Sequence, residues 1–468
     1  MNPKTLGVAS SSSGSRSLDL MSCLLDNPIV RENSDDFRFV TEQSLFLDVS
    51  RQASSVAEVA AQKFRLLKVC QSLEARSVDR ILIPDFEAYT FVDQLTLELD
   101  VPVIDMMVAI REHLATVAAP GDSIGIATSD CVRQSELFER YLSDTYRVIH
   151  SSFGARQKSG GSGTAKSALT FSDEVCAEFK RQGASIIVAT FSELVAAGSG
   201  STQGVEVVDV HRVYADFAIR FCDDQRKVRF KLGIVGGIGP AATVDFMDKV
   251  VRNTVARRDQ DHIKMLVEHN PQIPDRTAHL LHQAEDPTLA LYATCVRLEA
   301  GGASAIALPC NTAHAFVERI QPYLNVPIIN MLRETVSYIV DRFGAGCTVG
   351  LLATSGTVAS RIYHNVSECE LDVLTPEPEF QEKVMAAIYG PCGVKAGFTE
   401  GKCREDLIAA IKHLSDRGAK VMILGCTELP LIIGQADAFD VGGVSVTIVD
   451  PTNVLAQRCV LIANALGN

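Results

Sequence analysis

The feature that most constrains this chain of 468 residues is that it repeats itself. PDFEAYTFV at 84–92 falls on PCNTAHAFV at 309–317, and DVPVID at 100–105 falls on NVPIIN at 325–330, both at an offset of 225. Near the start, Leu6-Gly7-Val8 falls on Leu232-Gly233-Ile234 at offset 226, which places Met21 on Met247 and ATS at 127–129 on ATS at 353–355. GASIIVATFSEL at 183–194 matches GAKVMILGCTEL at 418–429 at offset 235, and Val208-Asp209 falls on Val449-Asp450. An offset that grows along the chain means small insertions in the second copy. Self-similarity of this kind outranks every local pattern, because each copy is a folding unit. The reading is two modules, residues 1–225 and 228–468, joined in the charged stretch CDDQRKVRF.

Each half alternates β-rich apolar runs with helix-like segments. KLGIVGG precedes TVDFMDKVVRNTV, ASAIALP precedes TAHAFVERIQPYL, CTVGLLATS precedes TVASRIYHNV, and KVMILG precedes TELPLIIG. Strands alternating with helices predict βαβ units, a parallel sheet and an α/β fold. Each half is expected to hold two doubly wound lobes, because strand-turn signals of one kind recur within it. In such sheets ligands bind beyond the carboxyl ends of the strands. SSFGARQKSGGSGTAKS at 151–167 is Gly/Ser-rich and reads as a mobile loop.

Composition narrows the function. A net charge of −13 argues against a nucleic-acid partner, whose binding rests on clustered Lys and Arg. No apolar run is long enough to span a membrane, and no apolar core of a secretory signal stands near the start, so a cytoplasmic location is expected. Thirteen widely spread Cys fit reduced, buried thiols. His279 and His282 in HLLH lack an obvious third ligand, so no metal site is expected.

Two cysteines stand out. Cys310 follows the run Ala305 to Pro309, Cys426 follows Val421 to Gly425, and each is followed within two positions by a hydroxyl residue. If each opens a helix, the free N–H groups and the helix dipole lower its pKa. An ordinary Cys is a few per cent thiolate at pH 7, so such a shift makes it a usable base.

GIVGGIGPAAT, NPQIPDRT, PCNTAH and GCTEL, in that order over 231 to about 455, resemble the cofactor-independent aspartate/glutamate racemase superfamily. The pattern is closer to its aspartate racemase branch, since glutamate racemases carry His where this chain has Glu428. The resemblance implies that Cys310 and Cys426 face each other across the substrate α-carbon. One is a thiolate that removes the proton and the other a thiol that returns one to the opposite face. It implies no cofactor and a small amino-acid substrate. Without an electron sink, the two bases must be held in opposite protonation states. Carbanion charge spreads onto the substrate carboxylate, where Asn311, Thr312, Thr354 and Thr427 are placed to donate; as strand-end residues they also suit helix capping. Arg276 matches the family's carboxylate-binding Arg, and Lys395, with Lys402 close by, falls near a second basic position. His314 either tunes Cys310 or only supports it. Glu428 has a catalytic and a merely local reading.

In the first half Asp85 stands at the position of Cys310 and Phe191 at that of Cys426. Ser10 to Ser13 replace the glycines of GGIGP, and NPQIPDRT has no clear counterpart, although Arg51 lies near. This half therefore reads as a degenerate copy, either a structural partner or a site for another ligand. Family members pair as dimers, so the resemblance implies an intrachain pseudo-dimer, with further homo-oligomerisation open. Alternatives are a broad-specificity amino-acid racemase, a hydantoin racemase, a maleate isomerase, or a non-catalytic ligand-binding protein. Gly237-x-Gly239-x-x-Ala242 also permits dinucleotide binding, with Glu268 as the acidic partner at an unfavourable spacing.

Overall fold

The computed structural model describes residues 3–10, 15–43, 56–150, 165–190, 204–221, 230–367 and 370–466. Two compact units divide the chain, Met1–Val228 and Arg229–Asn468. In the first, β1 (Lys4–Ser10), β2 (Phe37–Gln43), β3 (Arg80–Leu82) and β4 (Val103–Ile104) form a sheet of order β2-β1-β3-β4. A second sheet holds β5 (Ser123–Ala127), β6 (Arg147–His150), β7 (Ile186–Ala189) and β8 (Glu206–Val208) in the order β6-β5-β7-β8. All of these pairings are parallel.

The second unit has the same plan. β9 (Lys231–Gly236), β10 (Lys264–His269), β11 (Ala305–Ala307) and β12 (Ile328–Ile329) run in the order β10-β9-β11-β12. β13 (Cys347–Leu352), β14 (Leu371–Leu374), β15 (Val421–Leu424), β16 (Ala436–Val441) and β17 (Val444–Val449) run β14-β13-β15-β17-β16. This is α/β architecture with two doubly wound lobes in each unit. One element departs from the all-parallel reading, since β16 pairs antiparallel with β17. Gly442 and Gly443, at φ +63° and +87°, close that hairpin, because a tight two-residue turn between twisted strands needs left-handed backbone at both positions.

The central strands are apolar because both faces are covered. β15 is buried along its whole length, and so is β7. The helix Pro240–Asn253 begins on Pro and buries Ala242, Phe246 and Val250, one face at helical spacing. Phe246 and Val250 pack with Leu232, Ile234 and Ala305 of the sheet. Cys70, Cys176, Cys295, Cys403 and Cys459 are buried, which is the expected use of the remaining thiols. Of the Gly/Ser-rich stretch, 151–164 lies outside the described residues, and the helix Ala165–Arg181 takes up its end. Among the described residues no helix is long and apolar enough to cross a membrane.

The segments after the two marked cysteines differ from the expected helices. Past Cys310 the chain forms a tight 3-10 turn, Thr312–Phe316, then a single α turn, Val317–Ile320. Past Cys426 only Leu429–Leu431 is helical, again 3-10, with Pro430 inside it. Neither thiol therefore stands at the end of a long α-helix dipole.

Candidate active site

Where strand order reverses, the adjacent chains leave a crevice at the carboxyl edge of a doubly wound sheet. Each lobe of the second unit brings one marked cysteine there, Cys310 three residues past β11 and Cys426 two past β15. Both line one pocket of about 310 Å³, together with Arg276, Asn311, Thr312, Thr354, Lys395, Thr427 and Glu428. All eight residues singled out from the sequence as catalytic or substrate-binding meet here. Ile238, Thr277, Tyr389 and Gly425 complete the lining and were not foreseen.

The environment of Cys426 reverses the expected pKa shift. Burial, and next the Glu428 carboxylate, push this thiol well above its ordinary value. Its Sγ donates to Glu428 Oε2 at 3.2 Å. The thiol is thus held protonated, because desolvation outweighs what a short 3-10 turn can offer. Cys310 is also buried, and it interacts electrostatically with the Arg276 guanidinium.

Arg276 opens the helix Arg276–His282, whose N-cap is Asp275. Its Nη1 donates to the Ile273 and Pro274 carbonyls at 3.3 and 3.0 Å, which fixes the fork, while Nε is buried without a partner. Asn311 accepts from the Tyr363 hydroxyl through Oδ1 at 2.6 Å, and its Nδ2 is likewise buried without a partner. Two buried donors without partners, on residues that line the pocket, are costly.

The threonines do more than cap. Thr354 Oγ1 accepts from Thr357 N–H as the N-cap of Ser355–Ala359. It also lies 3.2 Å from Thr277 Oγ1 and 3.3 Å from Thr312 Oγ1, while Thr312 pairs with Thr357 at 2.7 Å. This hydroxyl cluster ties the lobes together through residues that follow strands of both sheets. Gly356 allows it, since a Cβ there would come within 2.9 Å of Thr277 Cα. Thr427 Oγ1 donates to Glu428 Oε2 at 3.3 Å.

Lys395 Nζ donates to Glu428 Oε1 at 2.6 Å and sits 5.3 Å from the Tyr389 ring centroid. Burial lowers its pKa, but the Glu428 carboxylate more than reverses this and leaves it raised. Lys402 instead pairs with Asp406 at 2.7 Å, outside the pocket. Burial pushes the Tyr389 phenol up to about 12. No motif marks Tyr389; its only sequence cue is adjacency to the Gly-Pro turn before Lys395.

His314 is a support. Met331 N–H donates to its Nε2 at 3.1 Å, so Nδ1 carries the proton and donates to the Cys310 carbonyl at 2.9 Å. Burial lowers its pKa to about 4, and the neutral ring clips the Cys310 turn to the next helix. His279 bonds the Ala284 carbonyl at 2.8 Å, and no cluster of metal-ligating side chains occurs among the described residues. Glu268, the acidic partner a dinucleotide site would need, is paired with Arg297 at 2.6 Å.

In the first unit, Asp85 occupies the Cys310 position and is fully buried. Ser10 Oγ donates to it at 3.2 Å, and Arg16 lies 3.7 Å away while also pairing with Glu87 at 2.6 Å. Phe191, Ser11 to Ser13 and Arg51 lie outside the described residues.

A family model described as Asp/Glu/Hydantoin racemase matches residues 33–218 and again 235–459. The chain belongs to this racemase family. The broad specificity amino-acid racemase RacX of Bacillus subtilis is 27% identical over 236 residues, covering 49% of this chain and 96% of that protein. A glutamate racemase of Corynebacterium kroppenstedtii is 28% identical over 147 residues, covering 31% of this chain and 49% of that protein. The solved Picrophilus torridus aspartate racemase is 29% identical, covers 50% of this chain and 94% of its own, and superposes with a TM-score of 0.43. Membership supports a racemase acting on a small amino-acid substrate.

Proposed function

We propose that the second unit interconverts the L- and D-forms of an acidic amino acid, aspartate first, by proton transfer between two cysteines and without a cofactor. One observation carries this reading: Cys310 and Cys426, from different lobes, line a single pocket with Arg276 and Lys395. A racemase without an electron sink needs one base and one acid on opposite faces of Cα. Cys426, its proton donated to Glu428, is the acid of the resting site. Cys310, buried beside the Arg276 guanidinium, is the base in this proposal. The thiolate takes the α-proton, the other thiol gives up its own, and the protonation states exchange. The unsatisfied Asn311 Nδ2 suits the α-carboxylate, where negative charge accumulates in the transition state. Arg276 and Lys395 are the cations for the side-chain carboxylate.

A wider substrate range is favoured by one observation: Lys395 is already engaged by Glu428. A neutral side chain would leave that pair closed and still use the same thiols. In this proposal the first unit, with Asp85 in place of a thiol, takes no part in proton transfer and serves as an intrachain partner.

The test is Cα exchange in heavy water with L- and D-aspartate, glutamate, serine and alanine, followed by NMR and chiral chromatography. Deuterium uptake with inversion of aspartate, lost in Cys310→Ser and in Cys426→Ser, is the expected result. Uptake that persists in both variants sinks the two-thiol mechanism.

A further inference from the structure

Among the described residues that line the pocket, Glu428 is the one carboxylate, and it is only 4% exposed. A buried carboxylate is costly unless its oxygens are paired. Here the Cys426 thiol and the Thr427 hydroxyl serve Oε2, while Lys395 serves Oε1. Backbone closes the remaining side. Gly239 has φ +100°, and a Cβ there would stand 2.6 Å from Glu428 Oε1. The GGIGP turn, open to a dinucleotide reading from sequence, thus brings main chain against this carboxylate.

Lys395 is the movable partner. Its side chain is 29% exposed, and it rides a single 3-10 turn, Val394–Ala396, between Gly393 and Gly397. Glu428 is held from three sides and Lys395 from fewer. An incoming amino acid carries an ammonium group, which needs an anionic receptor once water is excluded. The pocket's fixed charges, two cations and one carboxylate, are the mirror image of the two carboxylates and one ammonium of aspartate. In the empty site Lys395 and Glu428 neutralise each other.

We propose that Glu428 is the receptor for the substrate ammonium group, and that Lys395 holds this place only while the site is empty. The arriving ammonium displaces Lys395 from Glu428, and the released Lys395 takes the side-chain carboxylate. This rests on the amino-acid racemase reading. It makes Glu428 a specificity residue: a diacid without an amino group must break the Lys395–Glu428 pair and returns nothing to Glu428.

The experiment compares binding of L-aspartate and succinate to the full chain by calorimetry, which needs no turnover. Wild type is expected to prefer aspartate. Glu428→Gln is expected to weaken aspartate and to tighten succinate, each by about tenfold, the scale of one charged hydrogen bond. Lys395→Met is expected to weaken both diacids by about tenfold, since each loses the cation that takes its carboxylate. A merely structural Glu428 would move both ligands in the same direction. Parallel loss, or no change, in Glu428→Gln overturns the proposal, as does unchanged binding of both diacids in Lys395→Met. If wild type prefers aspartate but exchanges no Cα proton, the racemase reading falls and the ammonium receptor stands. If wild type racemises aspartate and the two ligands move together, only the receptor falls.

Discussion

Asp85 and Cys310 hold the same place in two copies of one fold, three residues past β3 in the first unit and three past β11 in the second. Around Asp85 the polar groups answer one another, with Ser10 and Arg16 on the carboxylate and Glu87 on Arg16. Around Cys310 they do not, since Arg276 Nε and Asn311 Nδ2 remain without partners. A site built for a ligand keeps donors unsatisfied and carries their desolvation cost. In the proposal that the first unit takes no part in proton transfer, that copy closes its own charges. The scaffold beneath is retained with different chemistry. Tyr89 stands where His314 does, and its hydroxyl accepts from Met106 N–H at 2.9 Å as His314 Nε2 accepts from Met331 N–H at 3.1 Å. The clip between turn and helix therefore belongs to the fold and not to the catalysis of one unit.

The contrast between Asp85 and Cys310 can be tested at four points. The largest effect is expected from Cys310→Ser or Cys426→Ser, which should each lower racemisation by about a thousandfold, general acid–base catalysis being worth ~10²–10⁴. Chiral chromatography over hours reads this directly, and a residual rate within tenfold of wild type would remove the thiol from the mechanism. Arg276→Ala should raise the aspartate KM by about 30-fold or more, the consequence of losing one partner of a desolvated charge pair. An unchanged KM would assign the side-chain carboxylate elsewhere.

Asp85→Ala should act on the other side of the comparison. It leaves Ser10 and Arg16 short of a buried acceptor and should destabilise the first unit by about 1–3 kcal/mol in urea unfolding. Racemisation under folding conditions should be unchanged. Lost turnover in a folded variant would bring the first unit into the chemistry.

The last test concerns His314, whose effect is confined to acid pH. Its folded pKa of about 4 lies below the ordinary 6.5, so the unfolded state binds the proton more readily. Its contribution is present above pH 6.5 and is lost as pH falls toward 4. The second unit should therefore lose up to about 1.4 kcal/mol per pH unit across that window from this group. His314→Gln should flatten the dependence, as followed by chemical denaturation at stepped pH. The Tyr89 clip should show none of it, because a phenol does not titrate there. An equal slope in the variant would mean that other groups dominate.

Much of the site was legible because its chemistry sits at strand ends, and strand ends are visible as apolar runs that stop. The repeat, the α/β class and the two thiols follow from period and position alone. So does the loss of a thiol at Asp85, since the repeat aligns it with Cys310. The antiparallel β16 was missed, although Gly442-Gly443 between two β-rich segments was its local signal. Tyr389 was missed for a different reason. It leaves no pattern, and it reaches the pocket only because the loop after Pro378–Tyr389 folds Lys395 back onto Glu428.

What tertiary structure alone decided is the electrostatic state of each group. Local sequence placed both thiols at the start of helices, where a dipole would lower their pKa. Burial beside Glu428 raised that of Cys426 instead. Likewise, Lys395 looked like a cation waiting for substrate and turned out to be paired, while Arg276 and Asn311 kept donors open. Residue type and spacing determine which groups arrive at a sheet edge. Their charge and their vacancy depend on desolvation and on partners distant in the chain, and those exist only once the two lobes have closed on one another.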